Sequence, residues 1–390
     1  MPHPVSEAVP AKSASPLPPP RRGRWFRRLA LLFGGLLVAW LLGEVLVLAV
    51  FGEQVKFPRH VVAAPWDLRY NQPHAEYRHK SADGIWQFRI NGQGMRDDRE
   101  FARAKPAGTL RIVSLGDSFT IGYEADVRET FSAVLERELR AAGRPVEVLN
   151  AGVSGYSNAE ECLYLERELF NYQPDVVLVS FFSNDLVDNV RTGLFRFEGE
   201  QLVPWNERYV PGGRLADFLN QNAFFNFMSE RSNLFVFAKE RLTLLVKRDM
   251  VQENERNLAV AASKTVDADA GGQRRFAAAI FERMYAKVHE RGLTLVIHSI
   301  PTQFGPPDLP LDEMFPLAEF PLFLPRALAL VPIPRPGLLF VPAKKVFEPL
   351  VGKELLYRQR SHFHLTPRAH ELAGKALAQA ILDAGVLPQR

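Results

Sequence analysis

Cysteine is nearly missing from this chain of 390 residues, in which Cys162 is the single example. One cysteine excludes an intramolecular disulfide and any metal site built from several cysteines. Outside its N-terminus the chain also lacks a basic stripe with interleaved aromatic residues, so nothing favours binding to nucleic acid. The formal net charge of +4 is small, and 47% hydrophobic with 24% charged residues is typical of a globular protein.

The one long hydrophobic run lies near the N-terminus, from Leu29 to Phe51, and contains a single charge, Glu44. Crossing a bilayer takes about 20 apolar residues. A cleavable signal peptide has an apolar core of only about 7–15 residues and a small-residue cleavage site, which is not seen here. The run therefore predicts an uncleaved, single-pass membrane helix. Five arginines between positions 21 and 28 predict a cytoplasmic N-terminus in the inner membrane, with the remainder on the extracytoplasmic side.

Composition divides the chain into segments. Within the part that follows the membrane helix, Asn91-Gly92 favours a hairpin turn. Two stretches, one aromatic and one proline-rich, interrupt the pattern of the main domain and predict insertions that cover an edge of the sheet. The predicted segments are a disordered cytoplasmic tail (1–28), the membrane helix (29–51), a pre-core segment (52–108) and the main domain (109–390), with insertions at about 195–272 and 301–335.

Strand-like and helix-like stretches alternate in the main domain. The run from Leu110 to Leu115 is apolar and partly β-branched, as expected of a parallel strand covered on both faces. This alternation predicts an α/β fold of three layers, α/β/α, with a parallel sheet. Further strands are expected in "PVEVLN", "PDVVLVSFF", "LTLVIHSIP" and "GLLFVPA", and helices at 130–142, 158–170, 275–291 and 367–382.

Polar residues follow three of these strands, where an open parallel sheet binds its ligands. They are Asp117-Ser118 after "RIVSLG", Gly155 in "NAGVSGYS" and Asn184 in "FFSND"; His364 lies in "SHFHLTPRAH" before the closing helix. A serine becomes a nucleophile when a neighbouring base, usually histidine, takes its proton. The oxyanion that forms needs fixed donors, each worth about 2.7–4 kcal/mol. These residue types therefore predict a serine nucleophile, a histidine base and two oxyanion donors.

The order "LGDSFTIG", "NAGVSGYS", "NDLVDN" and a C-terminal histidine resembles the SGNH (GDSL-like) hydrolase family, continuously over about residues 110–190 and again over 360–383. The resemblance implies a flavodoxin-like fold, with Ser118 as the nucleophile and His364 as the base. It also implies an oxyanion hole formed by Ser118 N–H, Gly155 N–H and the Asn184 side chain. Asp117 is expected to support the turn.

The chain departs from the family in one respect. Relatives usually carry an aspartate two or three residues before the histidine, where this chain has Ser361 and His362. Three alternatives follow. The site works as a Ser-His dyad with Ser361 or a carbonyl orienting the ring, a carboxylate such as Glu354 or Asp188 comes from elsewhere, or the triad is degraded and activity is low.

Other candidate residues have weaker support. His362 is a possible base in a shifted register, whereas His370 belongs to the closing helix and His298 to an apolar strand, which predicts a core residue. Asp185 and Asp188 lack the His or Cys spacing of a metal site.

These observations predict a membrane-anchored serine hydrolase that cleaves carboxylic esters, acyl or O-acetyl groups on a lipid, glycan or small molecule. No cofactor and no metal are implied. Two alternatives stay open: an envelope protein that binds acylated glycan with little or no catalysis, and an O-acyltransferase that uses the same residues.

Overall fold

Eleven strands are found in the computed structural model, which describes residues 22–58, 60–210, 218–242, 270–301, 335–361 and 363–386. The strands are β1 Val61–Ala63, β2 Arg69–Asn71, β3 Glu76–Ser81, β4 Gly84–Arg89, β5 Leu110–Leu115, β6 Val146–Asn150, β7 Val176–Phe181, β8 Phe195–Glu198, β9 Gln201–Pro204, β10 Thr294–Ser299 and β11 Leu338–Pro342. The helices are α1 Arg22–Phe51, α2 Ser118–Ile121, α3 Phe131–Ala141, α4 Asn158–Arg167, α5 Asp185–Thr192, α6 Ala223–Arg231, α7 Ala270–His289, α8 Lys344–Phe347 and α9 Pro367–Asp383.

The central sheet has five strands in the order β11-β10-β7-β5-β6, and every neighbouring pair is parallel. Every residue of β7 and β10 is buried. This burial explains why both strands are largely apolar, without the regular alternation of a sheet that has one wet face. The predicted α/β fold with a parallel sheet is confirmed.

Helices cover both faces of the sheet. Successive residues of each strand point to opposite faces, so neighbouring residues pack against different helices. On β5, Ile112 belongs to a core cluster with Leu135 of α3 and Leu377 of α9. Val113, the next residue, belongs to a second cluster with Leu163 of α4 and others from α7. The result is the predicted three-layer arrangement, and β5 lies in it between β6 and β7.

The pre-core segment forms two antiparallel pairs, β1 with β2 and β3 with β4. The predicted hairpin turn at Asn91-Gly92 is wrong, because the β3–β4 turn lies at 82–83. The Asn91 side chain instead accepts hydrogen bonds from the backbone N–H groups of Gln93 (3.0 Å) and Met95 (2.9 Å). Such local bonds satisfy the backbone without a strand partner, so the same dipeptide forms a compact turn after β4.

The helix α1 contains the predicted membrane segment and is long and apolar enough, from Trp25 to Phe51, to cross a bilayer. Most of its side chains are exposed. Of the predicted insertions, the described residues contain β8, β9 and α6, and a further helical stretch at 233–242. Residues 1–21 of the predicted disordered tail (1–28) and residues 302–334 of the proline-rich insertion lie outside the described residues. Residues 22–28 are helical, because α1 extends beyond the apolar run to Arg22, so the predicted disorder is wrong there.

Candidate active site

Ser118 lies at the first position of α2, directly beyond the carboxyl end of β5. Gly116 joins strand to helix at φ +154°, and a Cβ there would come 1.9 Å from the Thr120 Oγ1 atom. Asp117 caps the helix, since its carboxylate accepts the Phe119 N–H at 2.9 Å. Glycine and aspartate therefore shape a sharp turn that presents the half-buried Ser118 at the end of a central strand.

The two predicted oxyanion donors lie after the strands on either side of β5. Gly155 follows β6, and its carbonyl accepts a hydrogen bond from the Arg69 guanidinium. Asn184 follows β7 and precedes α5, where its Nδ2 atom donates to Asp188 Oδ2 at 3.2 Å. An amide nitrogen has two hydrogens, so this contact leaves one for a substrate oxygen.

His364 lies just before α9 and is 6% exposed. The ring of Phe119, the residue next to Ser118, packs edge-on against the imidazole at a centroid distance of 5.2 Å, and Tyr123 does the same at 5.5 Å. A bridge between Tyr357 and Leu365 fixes the backbone at this point. The structure therefore brings the C-terminal histidine to the turn that carries the predicted nucleophile.

A carboxylate not anticipated from the sequence lies beside this histidine. Glu124 Oε2 is 3.8 Å from His364 Nδ1, and the same oxygen accepts a hydrogen bond from Ser361 Oγ at 2.6 Å. The first distance is that of an ion pair and exceeds a hydrogen bond. Catalytic hydrogen bonds are often long without substrate and shorten when it binds. Glu124 is fully buried and lies only six residues after Ser118.

Glu124 is held in an uncommon backbone conformation, with φ +63°. Arg96 from the pre-core segment holds the loop, donating to Ile121 O at 2.6 Å and Ala125 O at 2.6 Å. Arg358 donates to the carbonyl of Glu124 itself at 2.9 Å. Several hydrogen bonds thus hold the backbone of Glu124 in a strained conformation, as is common at functional sites.

The surroundings of Glu124 favour its ionised form. Burial alone raises the pKa of a carboxyl, but His364, His79 and Ser361 together lower that of Glu124 well below its ordinary value of 4.5. His79 of β3 lies 3.6 Å from the other carboxylate oxygen. Burial lowers the pKa of His79 despite the neighbouring carboxylate, so this ring is neutral at pH 7.

The carboxylates considered from sequence are engaged elsewhere. Glu354 pairs with Arg368 at 2.7 Å on the surface, and Asp188 pairs with Arg191 at 2.8 Å. Ser361, at the position of the usual aspartate, donates to Glu124. The loop after Ser118 therefore supplies the carboxylate nearest His364 among the described residues.

Two other histidines considered from the sequence have structural partners. His370 Nδ1 accepts the Phe131 N–H at 3.2 Å, and burial lowers its pKa to about 3. His298 Nδ1 lies 2.8 Å from Val341 O, and burial lowers its pKa to about 4. His362 lies outside the described residues. Within the described ranges, no group of three or more His, Cys, Asp or Glu is arranged to hold a metal ion.

Buried carboxyls lie under the Ser118 turn. Burial raises the pKa of Asp117 to about 6, against the lowering effects of the Phe119 N–H and of His364. Burial likewise raises the pKa values of Glu161 and Asp185, which interact electrostatically with Asp117. The turn that carries Ser118 is therefore sensitive to pH on the acidic side of neutrality.

We expect Asp117→Asn to flatten the pH dependence of stability between pH 4 and 7. A carboxyl whose pKa is higher in the folded than in the unfolded chain stabilises the fold below its unfolded pKa, and this contribution is lost as pH rises through about 6. The loss amounts to about 3 kcal/mol, at about 1.4 kcal/mol per pKa unit. Asparagine keeps the cap, because its oxygen also accepts the Phe119 N–H.

Thermal unfolding of both proteins across this pH range measures the effect, with the exposed Asp67→Asn as control. An unchanged slope in Asp117→Asn would assign the pH dependence to other groups.

Family comparison agrees with this architecture. Residues 114–372 match the model of the GDSL-like Lipase/Acylhydrolase family. The chain therefore belongs to this family of esterases, and the predicted resemblance is confirmed. The matched region runs from the end of β5 to α9 and includes Ser118, Gly155, Asn184 and His364.

Individual relatives are distant. An arylesterase of Vibrio mimicus is 29% identical over 75 residues, which cover 19% of this chain and 38% of the arylesterase. Two solved structures resemble the chain: a lipase from goat rumen metagenome (16% identity, 70% of this chain and 97% of that one, TM-score 0.39) and the acetylxylan esterase Axe2 of Geobacillus stearothermophilus (12%, 70% and 94%, TM-score 0.38). The family assignment rests on the family model.

Proposed function

We propose that this protein hydrolyses carboxylic esters with Ser118 as nucleophile and His364 as general base. The buried Glu124 carboxylate beside His364 Nδ1 carries the proposal. A serine hydrolase needs an imidazole with its Nδ1–H fixed, so that the other nitrogen can take the serine proton. A buried, ionised carboxylate fixes that tautomer and stabilises the imidazolium that forms.

The reaction proceeds in two balanced steps. Ser118 Oγ bonds to the acyl carbon while its proton passes to His364, and the proton then leaves with the alcohol as the C–O ester bond breaks. In the second step, a water molecule bonds to the acyl carbon while one of its protons passes to His364. The bond between Ser118 Oγ and the acyl carbon then breaks, the carboxylic acid leaves, and His364 returns the proton to Ser118 Oγ. During both steps, Ser118 N–H, Gly155 N–H and Asn184 Nδ2 are proposed to stabilise the oxyanion.

We further propose that α1 anchors the protein in the inner membrane, with the esterase domain on the extracytoplasmic side. The arginines between positions 21 and 28 support this topology. The substrates we propose are acyl or O-acetyl esters carried by a lipid or glycan. The carboxylate beside His364 favours hydrolysis over a binding protein without catalysis.

A fluorophosphonate probe tests the nucleophile and the base. We expect the full chain in detergent to react with the probe and to hydrolyse p-nitrophenyl acetate, whereas Ser118→Ala and His364→Ala lose both activities. His289→Ala, an exposed histidine at the end of α7, is the matched control and stays active. Folded wild-type protein that neither labels nor turns over would contradict the proposed function.

A further inference from the structure

Glu44, the single acidic residue of the apolar run, is bound by the described part of the 195–272 insertion. Its carboxylate accepts hydrogen bonds from Ser232 Oγ, from Asn233 N at 2.8 Å and from Leu234 N at 3.3 Å. These donors form the start of the helical stretch 233–242. The first N–H groups of a helix have no partner within it, so a carboxylate is a suitable acceptor for them.

Apolar contacts continue this interface along one stripe of α1. A Cβ on Gly43 would lie 2.6 Å from Leu234 Cδ2, so the two backbones approach closely there. Val47, one turn further, is buried. Phe51 packs on Phe237 with ring centroids 4.6 Å apart. Glu44 is therefore part of a packed helix contact, in a helix that is otherwise mostly exposed.

The position of Glu44 within the run determines where the insertion must lie. Glu44 lies seven positions before Phe51, which is about 10 Å along a helix at about 1.5 Å per residue. If α1 crosses a bilayer, an unpaired carboxylate at that depth is costly. The Ser232–Leu234 donors reduce this cost only when they enter the bilayer together with α1.

The residues around this contact have the composition of a membrane interface. Exposed apolar side chains are unusually dense here: Phe218, Phe224, Phe227 and Leu242 are 53–71% exposed. Cations lie among them, with Arg231 over the ring of Phe227 and Arg241 over that of Phe237. Exposed aromatics with interleaved cations are typical of helices that lie in the headgroup region.

We propose that residues 218–242 form a membrane-docking platform that lies in the outer leaflet against α1, with the lipid bilayer as its partner. This inference rests on the proposed membrane anchoring. It differs from a simple tether, because it predicts a fixed orientation of the esterase domain on the membrane surface.

The platform is connected to the candidate site through β3. Arg78 of β3 donates to Glu230 O of the platform at 3.1 Å. Its neighbour His79 contacts Glu124, the carboxylate beside His364. Lys56 Nζ also donates to Asn233 Oδ1 at 3.0 Å. A platform in the headgroups therefore brings the site close to the bilayer, and the substrate class that fits is an ester carried by a membrane lipid.

Crosslinking tests the α1 contact in a bilayer. The variant Gly43→Cys/Leu234→Cys, as a full chain in vesicles of phosphatidylcholine and phosphatidylglycerol, is expected to form an intramolecular disulfide on treatment with copper phenanthroline. The pair Gly43→Cys/Ala142→Cys, whose second cysteine is exposed after α3, should not. The native Cys162 is buried. Equal crosslinking of both pairs, or none in either, contradicts the platform.

Depth and substrate tests complete the design. A fluorophore on Phe224→Cys should be quenched by doxyl-labelled lipid, whereas one on Ala142→Cys should not. The variant Phe224→Ser/Phe227→Ser should hydrolyse a long-chain p-nitrophenyl ester in the vesicles several-fold more slowly and p-nitrophenyl acetate at the wild-type rate. An unquenched label, or equal effects on both esters, overturns the platform.

Fluorophosphonate labelling of the same samples separates the two proposals. Loss of labelling with the crosslink and quenching intact rejects the esterase mechanism and leaves the platform supported. Full labelling without crosslink or quenching rejects the platform alone.

Discussion

Replacing Glu124 by glutamine lowers kcat for p-nitrophenyl acetate by about 10²–10⁴-fold, the range expected when a base loses its orienting carboxylate. Glutamine fills the same space and can still accept the Ser361 hydrogen bond, but it carries no charge for the imidazolium and can present an N–H to His364 Nδ1. Because Glu124 is fully buried, it does not contact substrate, and KM should change little. Steady-state kinetics on the purified full chain measures both constants.

Glu354→Gln is the matched control, because Glu354 lies ten residues before His364 but pairs with Arg368 on the surface. It should keep the wild-type kcat. Stability gives a second readout. The pKa of Glu124 is lower in the folded than in the unfolded chain, so its contribution is present above pH 4.5 and is lost as pH falls. Glu124→Gln should lack this acid-dependent loss; a variant with wild-type kcat would falsify the positioning role.

Replacing Arg96 by methionine lowers the free energy of unfolding by about 3 kcal/mol, because buried carbonyls lose their donor and each costs about 1–3 kcal/mol when unpaired. Arg96 is 1% exposed and binds Ile121 O, Gly122 O and Ala125 O. Burial lowers its pKa to about 10, so it stays charged at neutral pH. Methionine keeps an apolar side chain at this position but removes every donor, together with the guanidinium that lies over the Phe88 ring.

Activity separates a local from a global effect of this change. Arg96 holds the loop in which Glu124 has a positive φ, so kcat should fall even at temperatures where Arg96→Met is folded. Arg89→Met, an exposed arginine of the same segment, should change neither quantity. Thermal unfolding followed by circular dichroism in detergent gives the stability, and kinetics at low temperature give kcat. A folded Arg96→Met variant with wild-type kcat would show that the loop needs no such support.

Much of the fold could be predicted because it depends on local patterns. The strand predicted at Leu110–Leu115 has those bounds, and the predicted helix at 130–142 is α3 at Phe131–Ala141, with Thr130 as its cap. Apolar spacing decides both structures within one stretch of sequence, and in α3 the polar cap Thr130 also determines where the helix begins. The Ser118 turn is local in the same sense, since Gly116 and Asp117 shape it.

Glu124 could not be identified in this way, although it stands within the conspicuous stretch "GDSFTIGYE". Its proposed role depends on contacts with His364, more than two hundred residues later, and with His79, which precedes the sheet. It also depends on Arg96, which binds the carbonyl of the neighbouring Ala125. The spacing of apolar residues carries no information about such long-range contacts. Two features of the sequence point to a carboxylate supplied from elsewhere. One is the acidic residue two positions after Gly122, and the other is Ser361 in the place of the usual aspartate.

The hydrogen-bond donors to Glu44 could not be predicted from the sequence for the same reason. In the sequence it is one charge that interrupts an apolar run, and the residues that bind it lie 188 and 189 positions later. The wrong prediction at Asn91-Gly92 has the opposite origin. There a strong local signal correctly predicts a turn, but whether the turn joins two paired strands depends on residues outside that stretch.

The loop of Glu124 has a practical consequence for shortening the chain. The family-matched region begins at residue 114 and keeps Ser118, Glu124 and His364. A fragment cut at that boundary would lose Arg96 and His79, and with them the groups that hold and neighbour the carboxylate. Such a fragment would retain the whole family-matched region and is still expected to be a poor catalyst. For expression or for grafting into another protein, the smallest useful unit starts ahead of β1.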